Sequence, residues 1–565
     1  MNRFELTPIA AVLAIAFSTA FAVAPLRAAA APPPPDSGNL LQQVKPVTPQ
    51  APSSNSTGLT VQRPDGTKDA AGAAFPVSGF AITGNTLFDS PTLLALVDSG
   101  KGQSLNVTQL GQLAGRITEY YHAHGYPLAR AIVPAQTIKD GMVTFQVLEA
   151  RYGTVSLENH SHVRTSLLAA TLAPLAAGEF VEQTQMDHVL LLLSDIPKVA
   201  VHALINPGQT VGTSDLLVDV QPGPRYTGIA TVDDYGNRYT GRMRAGATVS
   251  AIDPLGQGDY LSLGVLTSGH GLNYGRLSYE ATLTGVGTRA GAAYSALHYV
   301  LGDTLEPLEG HGTASVASAW VKQPVARSPL FNANVQLQYD GSDLRDHLDA
   351  AAIKTDRHVD AWTASLSGDR RDSGGSGGVS TANFAVSSGR VAYDNGAAQL
   401  ADATGARTEG GFGKASVNLA RLQSLPADNS LYLNLAGQIS SKNLDSSQKM
   451  TAGGPYTVRA YDLGVLAADK GLLATVELRH ELGMLASGQV QALVFADAQR
   501  LAIDHNAPGA GANDATLSGF GGGLNWAGPH LWTARAYVAA RVGAVPEQIG
   551  SAAKARLWAE VSKEF

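Results

Sequence analysis

The sequence predicts a closed, lipid-embedded barrel of about 16 antiparallel β-strands preceded by two small α+β units. Three observations carry this. From Arg225 to Phe565 the helical period disappears and apolar and polar residues alternate. Several of these runs reach about 9–12 residues, the length that crosses ~25 Å of hydrocarbon at a tilt. Ahead of them, between Phe75 and Gln221, one order of elements, β-α-α-β-β, occurs twice.

The chain opens with Arg3, an apolar run over Ile9–Phe17 extended by Ser18–Ala24, and small residues ending in Ala28-Ala29-Ala30. A charged start, apolar middle and A-x-A exit describe an export signal over residues 1–30. Glu5 is atypical there, and Pro25 argues against a cut after Ala24, so cleavage is expected near Ala30. A retained N-terminal anchor is the alternative; Pro32–Pro35 opposes it. Beyond this point the longest purely aliphatic run is Val189–Leu193, far short of the ~20 residues of a membrane helix. A barrel hides its apolar face in alternation instead.

Residues 31–74 form a linker rich in Pro, Ser, Gly and Gln, with one helical candidate at Asn39–Val44. Such composition buries too little apolar surface to offset its ordering entropy, so an extended, mobile segment is expected.

The first α+β unit, residues 75–151, begins with a strand over Val77–Leu87 broken at Gly84-Asn85. Ser90 as N-cap and Pro91 in the first turn open a helix. Leu110, Leu113, Ile117 and Tyr121 give Asn106–His124 one apolar helical face. Strands Ala129–Ile138 and Val143–Arg151 follow, turned by Asp140-Gly141. The second unit, residues 152–224, repeats the order: strand Gly153–Glu158, helices Arg164–Leu172 and Gln183–Leu193, strands Lys198–Ile205 and Asp215–Val220. A single α+β domain of about 150 residues is the alternative to a repeat.

Residues 225–565 are the barrel. Leu277, Tyr279, Ala281 and Leu283 face one way and Arg276, Ser278, Glu280 and Thr282 the other. Val335, Leu337 and Tyr339 alternate with Gln336, Gln338 and Asp340, and Val476, Leu478, His480 and Leu482 with Thr475, Glu477, Arg479 and Glu481. Charged residues on the polar face suit a wet lumen. No water in the bilayer pairs with a strand edge, so the sheet must close. A secreted β-protein is the alternative. The ~340 residues available, at roughly 21 per strand and connector, support about 16 strands. Leu557, Ala559, Val561 and the terminal Phe565 share a face, interrupted by Lys563 where a long side chain can snorkel. Strand limits between Asp303 and Ala420 stay open.

Composition narrows the function. Forty basic against 47 acidic residues leave a net charge of −7, without the basic stripe of a nucleic-acid binder. With no Cys there is no disulfide, thiolate metal site or Cys nucleophile. Gly374–Gly378 matches G-x-S-x-G but lacks the strand-to-helix context of a nucleophile elbow. His480-Glu481 starts like a zinc-protease motif, with Met484 where the second His belongs. Asp233-Asp234, Asp340 with Asp343, and Asp369 with Asp372 build no Ca²⁺ loop with a closing Glu. No catalysis and no cofactor are expected.

Three segments carry a resemblance. Gly453–Asp462, reading GGPYTVRAYD, with Asp469-Lys470-Gly471 and the strand Leu473–Leu482, resembles the signature loop of two-partner secretion transporters, the TpsB or haemolysin secretion/activation family. Val232–Gly241 resembles that family's first barrel strand, and Phe80–Leu87 with Gly125–Ile132 its first polypeptide-transport-associated (POTRA) domain. The resemblance implies an outer-membrane pore with two periplasmic POTRA domains, and Asn39–Val44 matches the start of its plug helix. It implies that the sixth extracellular loop folds into the lumen, where Arg459, between Val458 and Ala460-Tyr461, pairs with Asp497 of an F-x-D-x-G motif beginning at Phe495. Ala460 and Ala498 stand where the family has Gly. Phe565 corresponds to a barrel-targeting terminus. The implied partners are an unfolded secreted exoprotein (haemolysin, adhesin or another β-helical protein), outer-membrane lipid, and the barrel-assembly machinery and periplasmic chaperones for the chain's own insertion. A monomer is expected. An assembly factor for other barrels and a solute porin are the rival readings.

Overall fold

The computed structural model describes residues 34–44, 55–61 and 73–565, save 373, 508 and 510. The expected export signal and most of the linker lie outside the described residues.

Helix α1 (Ser37–Val44) starts two residues earlier than Asn39, because Asp36 caps it by accepting the Asn39 N–H at 2.8 Å. The linker is not wholly free: β1 (Leu59–Val61) joins the sheet of the second α+β unit. Main-chain pairing secures it there despite its polar composition.

In the first unit, β2 (Phe75–Pro76) and β4 (Ser104–Leu105) form a short ribbon beside β3 (Gly79–Thr83). Helix α2 (Ser90–Val97) is capped by Asp89 rather than Ser90, since the Asp89 carboxylate takes the Thr92 amide and hydroxyl together. Helix α3 (Val107–Ala123) has a capping box between Asn106 and Gln109. Strand β5 (Arg130–Ile132) turns through Asp140 and Gly141, both at positive φ, into β6 (Met142–Leu148). The second unit holds β7 (Arg151–Asn159), α4 (Thr165–Leu172), α5 (Gln183–Ser194), β8 (Val199–Pro207) and β9 (Thr213–Pro222). In the first unit β3 runs parallel to the last strand, β6, as β7 does to β9 in the second, and in each the last strand is antiparallel to the one before it. The two units therefore share a strand-pairing pattern. Each encloses its own core, around Ile117 and Phe145 in the first and Leu190 and Val218 in the second.

Sixteen strands close the barrel. The first are β10 (Tyr226–Asp233), β11 (Arg244–Ile252), β12 (Tyr260–Thr267), β13 (Leu272–Thr282) and β14 (Arg289–Val300). Longer ones follow: β15 (Gly310–Arg327), β16 (Phe331–Leu348), β17 (Ile353–Asp372) and β18 (Gly378–Tyr393). After α6 (Gly396–Thr404) come β19 (Gly410–Leu425) and β20 (Asn429–Ser440). The long loop 441–469 carries its own ribbon, β21 (Met450–Ala452) with β22 (Leu466–Ala468). Then come β23 (Lys470–Leu485), β24 (Gly488–Ala502), β25 (Asp514–Ala527), β26 (Trp532–Arg541) and β27 (Ala555–Glu564). Strand β27 returns to β10 through five register pairs, the shortest ladder in the barrel. Phe565 prolongs that seam by exchanging main-chain hydrogen bonds with Gly228 at 2.7 and 2.9 Å.

Up to 20 residues long, the strands exceed the expected 9–12. The outward residues explain it. On β16, Val335, Leu337 and Tyr339 give way to Asp343 and Arg345; on β17, Leu366 and Trp362 give way to Asp360 and His358. Tyr339 and Trp362 pack at 5.1 Å where the change occurs, as aromatic residues do at a membrane interface. Above that level the wall stands in water.

The second unit docks under the barrel turns. Arg327, at the end of β15, holds both carboxylate oxygens of Asp195 at 2.7 Å, and the Arg164 amide donates to the Gly256 carbonyl at 2.9 Å.

Candidate functional site

Two elements, loop 441–469 and α1, lie inside the barrel, and two buried arginines, Arg459 and Arg357, organise their contacts with the wall. The hairpin wall β23–β24 points Thr475, Glu477 and Arg479 inward from one strand and Phe495 and Asp497 from the next, as strand alternation requires. Loop residue Arg459 descends onto them. Its Nε and Nη2 donate to Asp497 at 2.8 and 2.7 Å, and its backbone N–H reaches the same carboxylate at 3.2 Å. Its Nη1 donates to Glu477 at 2.7 Å, whose other oxygen takes Arg479. Two guanidiniums and two carboxylates therefore balance in one network. Thr475 adds a hydroxyl hydrogen bond to Asp497, and the guanidinium lies 3.3 Å from the Phe495 ring centre. The Asp497 side chain is fully buried.

The loop is also fastened by its backbone and its flanks. Trp558 of β27 donates its indole N–H to the Arg459 carbonyl at 2.7 Å and stacks edge-on against Tyr235. Asp462 accepts Arg242 at 3.0 Å and lies 3.0 Å from Arg556. Val458, Ala460 and Tyr461 are buried.

The second arginine, Arg357 of β17, gathers three carboxylates from three places. It reaches Asp346 of the wall at 2.6 Å, Asp445 of the long loop at 2.5 Å and Asp36 at the cap of α1 at 3.1 Å. Asp346 in turn accepts the Ser37 amide and hydroxyl and the Tyr299 hydroxyl. Leu40 and Leu41 of α1 pack on inner-wall Leu297, Tyr299, Val316 and Leu344 and on Leu444 of the loop. Asn237 donates to Gln43 at 3.0 Å and to the Leu463 carbonyl at 3.3 Å, tying helix and loop again.

A family model described as haemolysin secretion/activation protein ShlB/FhaC/HecB matches residues 212–526, and a POTRA domain model of ShlB type matches 75–150. The chain belongs to this family. It is an outer-membrane secretion transporter of the two-partner type, with its POTRA domains in the periplasm, so loop 441–469 is extracellular in origin. The heme/hemopexin transporter HuxB of Haemophilus influenzae is 26% identical over 474 residues, 82% of this chain and 83% of the relative. The outer membrane transporter CdiB of Escherichia coli is 24% identical over 479 residues, 83% of this chain and 79% of its own. The solved CdiB from Escherichia coli superposes with a TM-score of 0.69 at 19% identity, covering 89% of this chain and 93% of that one. CdiB from Acinetobacter baumannii gives 0.61 at 16%, covering 93% and 96%. These superpositions show a shared fold.

Two departures from the family's glycine pattern have structural explanations. Ala460 is not in the left-handed region, and its methyl faces Gly519 of β25, where an added Cβ would come within 2.4 Å. The wall, rather than the loop, supplies the glycine that this close approach requires. Ala498 faces outward between Ala496 and Arg500, where a methyl meets no inner partner. Gly374–Gly378 lies at the periplasmic turn from β17 to β18, and His480-Glu481 lies within β23, so neither occupies a catalytic setting. Sequence reasoning missed Glu477, Trp558 and the whole Arg357 cluster. Inward alternation identified Glu477 as lumenal; nothing local identified its partner.

Proposed function

We propose that this pore takes an unfolded exoprotein from the periplasm, recognises it through the POTRA pair and passes it through the lumen to the surface without nucleotide hydrolysis. What supports the reading is that the lumen holds two parts that are not barrel strands, α1 and loop 441–469, both fastened to the wall by side-chain contacts centred on Arg357 and Arg459. A plain solute channel needs neither part, nor residues 75–221. In this account α1 plugs the pore and the Arg459 loop gates it, while folding of the exoprotein outside supplies direction. Arg459, Asp497 and Phe495 position the loop, with Val458, Ala460 and Tyr461 shaping its tip, and Phe565 completes the seam and serves barrel targeting. The family relatives are named as transporters, which agrees with an exported partner such as a haemolysin or adhesin.

Deleting residues 75–221 is expected to abolish exoprotein export and leave an inserted, conducting barrel. Undiminished export by that variant rules the reading out.

The short β10–β27 seam favours a second reading, lateral insertion of other barrels. Joining Val232 and Val561, which are register partners, by an engineered disulfide separates the two. Export persisting with the seam locked means passage through the lumen; loss of barrel insertion in the cell points to assembly.

A further inference from the structure

We propose that His311, His347 and Asp349, with Asp356 in reach, form a transition-metal site on the outer wall of the barrel, which takes Zn²⁺ and braces two extracellular loops. The site goes beyond the secretion reading and does not depend on it.

β15 begins and β16 ends on the same side as loop 441–469, the extracellular side, so His311 and His347 lie at the surface ends of neighbouring strands. They are direct register partners. Both point outward, because Gly312 and Ala314 on β15 and Leu344 and Asp346 on β16 face the lumen. His347 lies beyond Tyr339 on its strand, above the aromatic level that marks the membrane interface, so the pair meets water. The two rings pack edge-on with centres 5.3 Å apart. Strand pairing alone holds them side by side.

Carboxylates reach this pair from both flanks. The turn Asp349–Ala351 follows β16 directly and sets Asp349 3.1 Å from His311 Nε2. On the other side, Asp356 of β17 lies 3.3 Å from His347 Nε2. One ligand atom from each of His311, His347 and Asp349 falls within 4.8 Å of the others. Donors bound tetrahedrally to Zn²⁺ at about 2.0–2.1 Å stand roughly 3.3 Å apart. The nitrogen–carboxylate contacts already have that spacing, so a cation can replace the ring proton between them after a small side-chain adjustment.

The donor set selects the ion. Two imidazole nitrogens with carboxylate oxygens suit Zn²⁺, Cu²⁺ or Ni²⁺, whereas Ca²⁺ and Mg²⁺ take oxygen ligands. The other histidine groups are poorer: His160 with Glu158 and Asp219, and His358 with Asp343 and Asp394, each supply one imidazole. Arg345 and Lys354, the register partners of Asp356 and His347, bring positive charge nearby. Both are exposed and long enough to turn to water, and the two carboxylates offset them.

The place of the site gives it a consequence. His311 follows loop 301–309, and the Asp349 amide approaches the Glu309 carbonyl of that loop at 3.5 Å. Loop 301–309 is in turn fastened to loop 234–243, by Arg238 on Asp303 at 2.8 Å and the Gly302 amide on the Tyr239 carbonyl at 2.7 Å. An ion held by His311 and Asp349 therefore stiffens a chain of surface contacts that runs on to the first barrel loop.

The test uses the full-length protein without a polyhistidine tag, in lipid nanodiscs, stripped with a chelator and titrated with Zn²⁺ against a chromophoric competitor. One equivalent should bind at micromolar affinity or tighter. His311→Ala and His347→Ala should each weaken binding at least tenfold, while His160→Ala should leave it unchanged. Zn²⁺ should raise the temperature of the heat-dependent gel shift in the wild type and not in the His311→Ala/His347→Ala chain. Cu²⁺ bound to the wild type should show two nitrogen ligands by electron paramagnetic resonance. Absent binding at micromolar Zn²⁺ overturns the proposal, as does binding that survives the double substitution. A Cu²⁺ spectrum with fewer than two nitrogens overturns it even where the variants fail to fold. Failure of the secretion reading shows separately, as export that survives deletion of residues 75–221.

Discussion

Arg357 and Asp36, 321 positions apart in sequence, meet at 3.1 Å inside the barrel. Because the same guanidinium also holds Asp346 and Asp445, one cation joins the plug helix, the wall and the extracellular loop. Helix and loop are therefore energetically coupled through this side chain, alongside their direct contacts at Ser446 and Leu444.

Asp36→Asn removes one of those charges and leaves Arg357 paired. Conductance in planar bilayers should rise several-fold as α1 leaves more often, with insertion unchanged. Arg357→Ala is more severe: it strands buried carboxylates and should cost about 3–5 kcal/mol, read as a lower temperature for the heat-dependent gel shift.

Arg459→Ala should impair export more than insertion, because the wall closes without the loop while the loop tip loses both Asp497 and Glu477. Arg459→Lys should rescue little, since a single ammonium cannot reproduce a planar fork shared between two carboxylates. Equal loss of export and insertion in the Ala variant would show a folding role instead.

Gly519→Ala should displace the loop tip, for its new methyl would meet the Ala460 methyl. Adding Ala460→Gly should restore export. A double-mutant cycle measures this coupling directly, and additive losses would contradict the contact.

Asp195→Ala frees the second POTRA domain from Arg327 at the barrel mouth. Export should drop several-fold at unchanged conductance, and protease access to the junction near residue 223 should increase.

Glu149 gives a pH signature in the first POTRA domain. Burial pushes its carboxyl up, but the Thr86 hydroxyl, the Leu87 amide, the Tyr121 hydroxyl and the Thr86 amide together draw it below the ordinary glutamate value. A lowered folded value stabilises above the unfolded glutamate pKa of ~4.3 and loses that contribution as pH falls through the folded value. Glu149→Gln should thus destabilise this domain to urea at pH 7 and matter little in strong acid.

The sequence made the architecture readable where local rules dominate. Alternation marked Thr475, Glu477 and Arg479 as lumenal, the Asp140-Gly141 turn followed from turn chemistry, and α3 followed from the apolar spacing of Leu110, Leu113, Ile117 and Tyr121. It was least readable between Asp303 and Ala420. There β15–β18 rise beyond the bilayer, outward Asp343, Arg345, His358 and Asp360 are polar while inward Leu344, Val359 and Ala361 are buried against the plug, and the two-residue period reverses its sense. The Arg357 cluster was hidden for another reason. Its four members sit on α1, two strands and a loop, and only closure of the barrel gathers them. Placement of Ser90 as the cap of α2 failed because Asp89, one residue earlier, offers two oxygens to Thr92.

The unequal strand lengths also give the outer mouth a shape. Between β15 and β18 the cylinder carries a parapet, whereas β10–β12 and β26–β27, of eight to ten residues, leave the opposite rim low. A polypeptide emerging there has a palisade at its back, and the room for its first folded turns lies over the low rim, beside the closing seam.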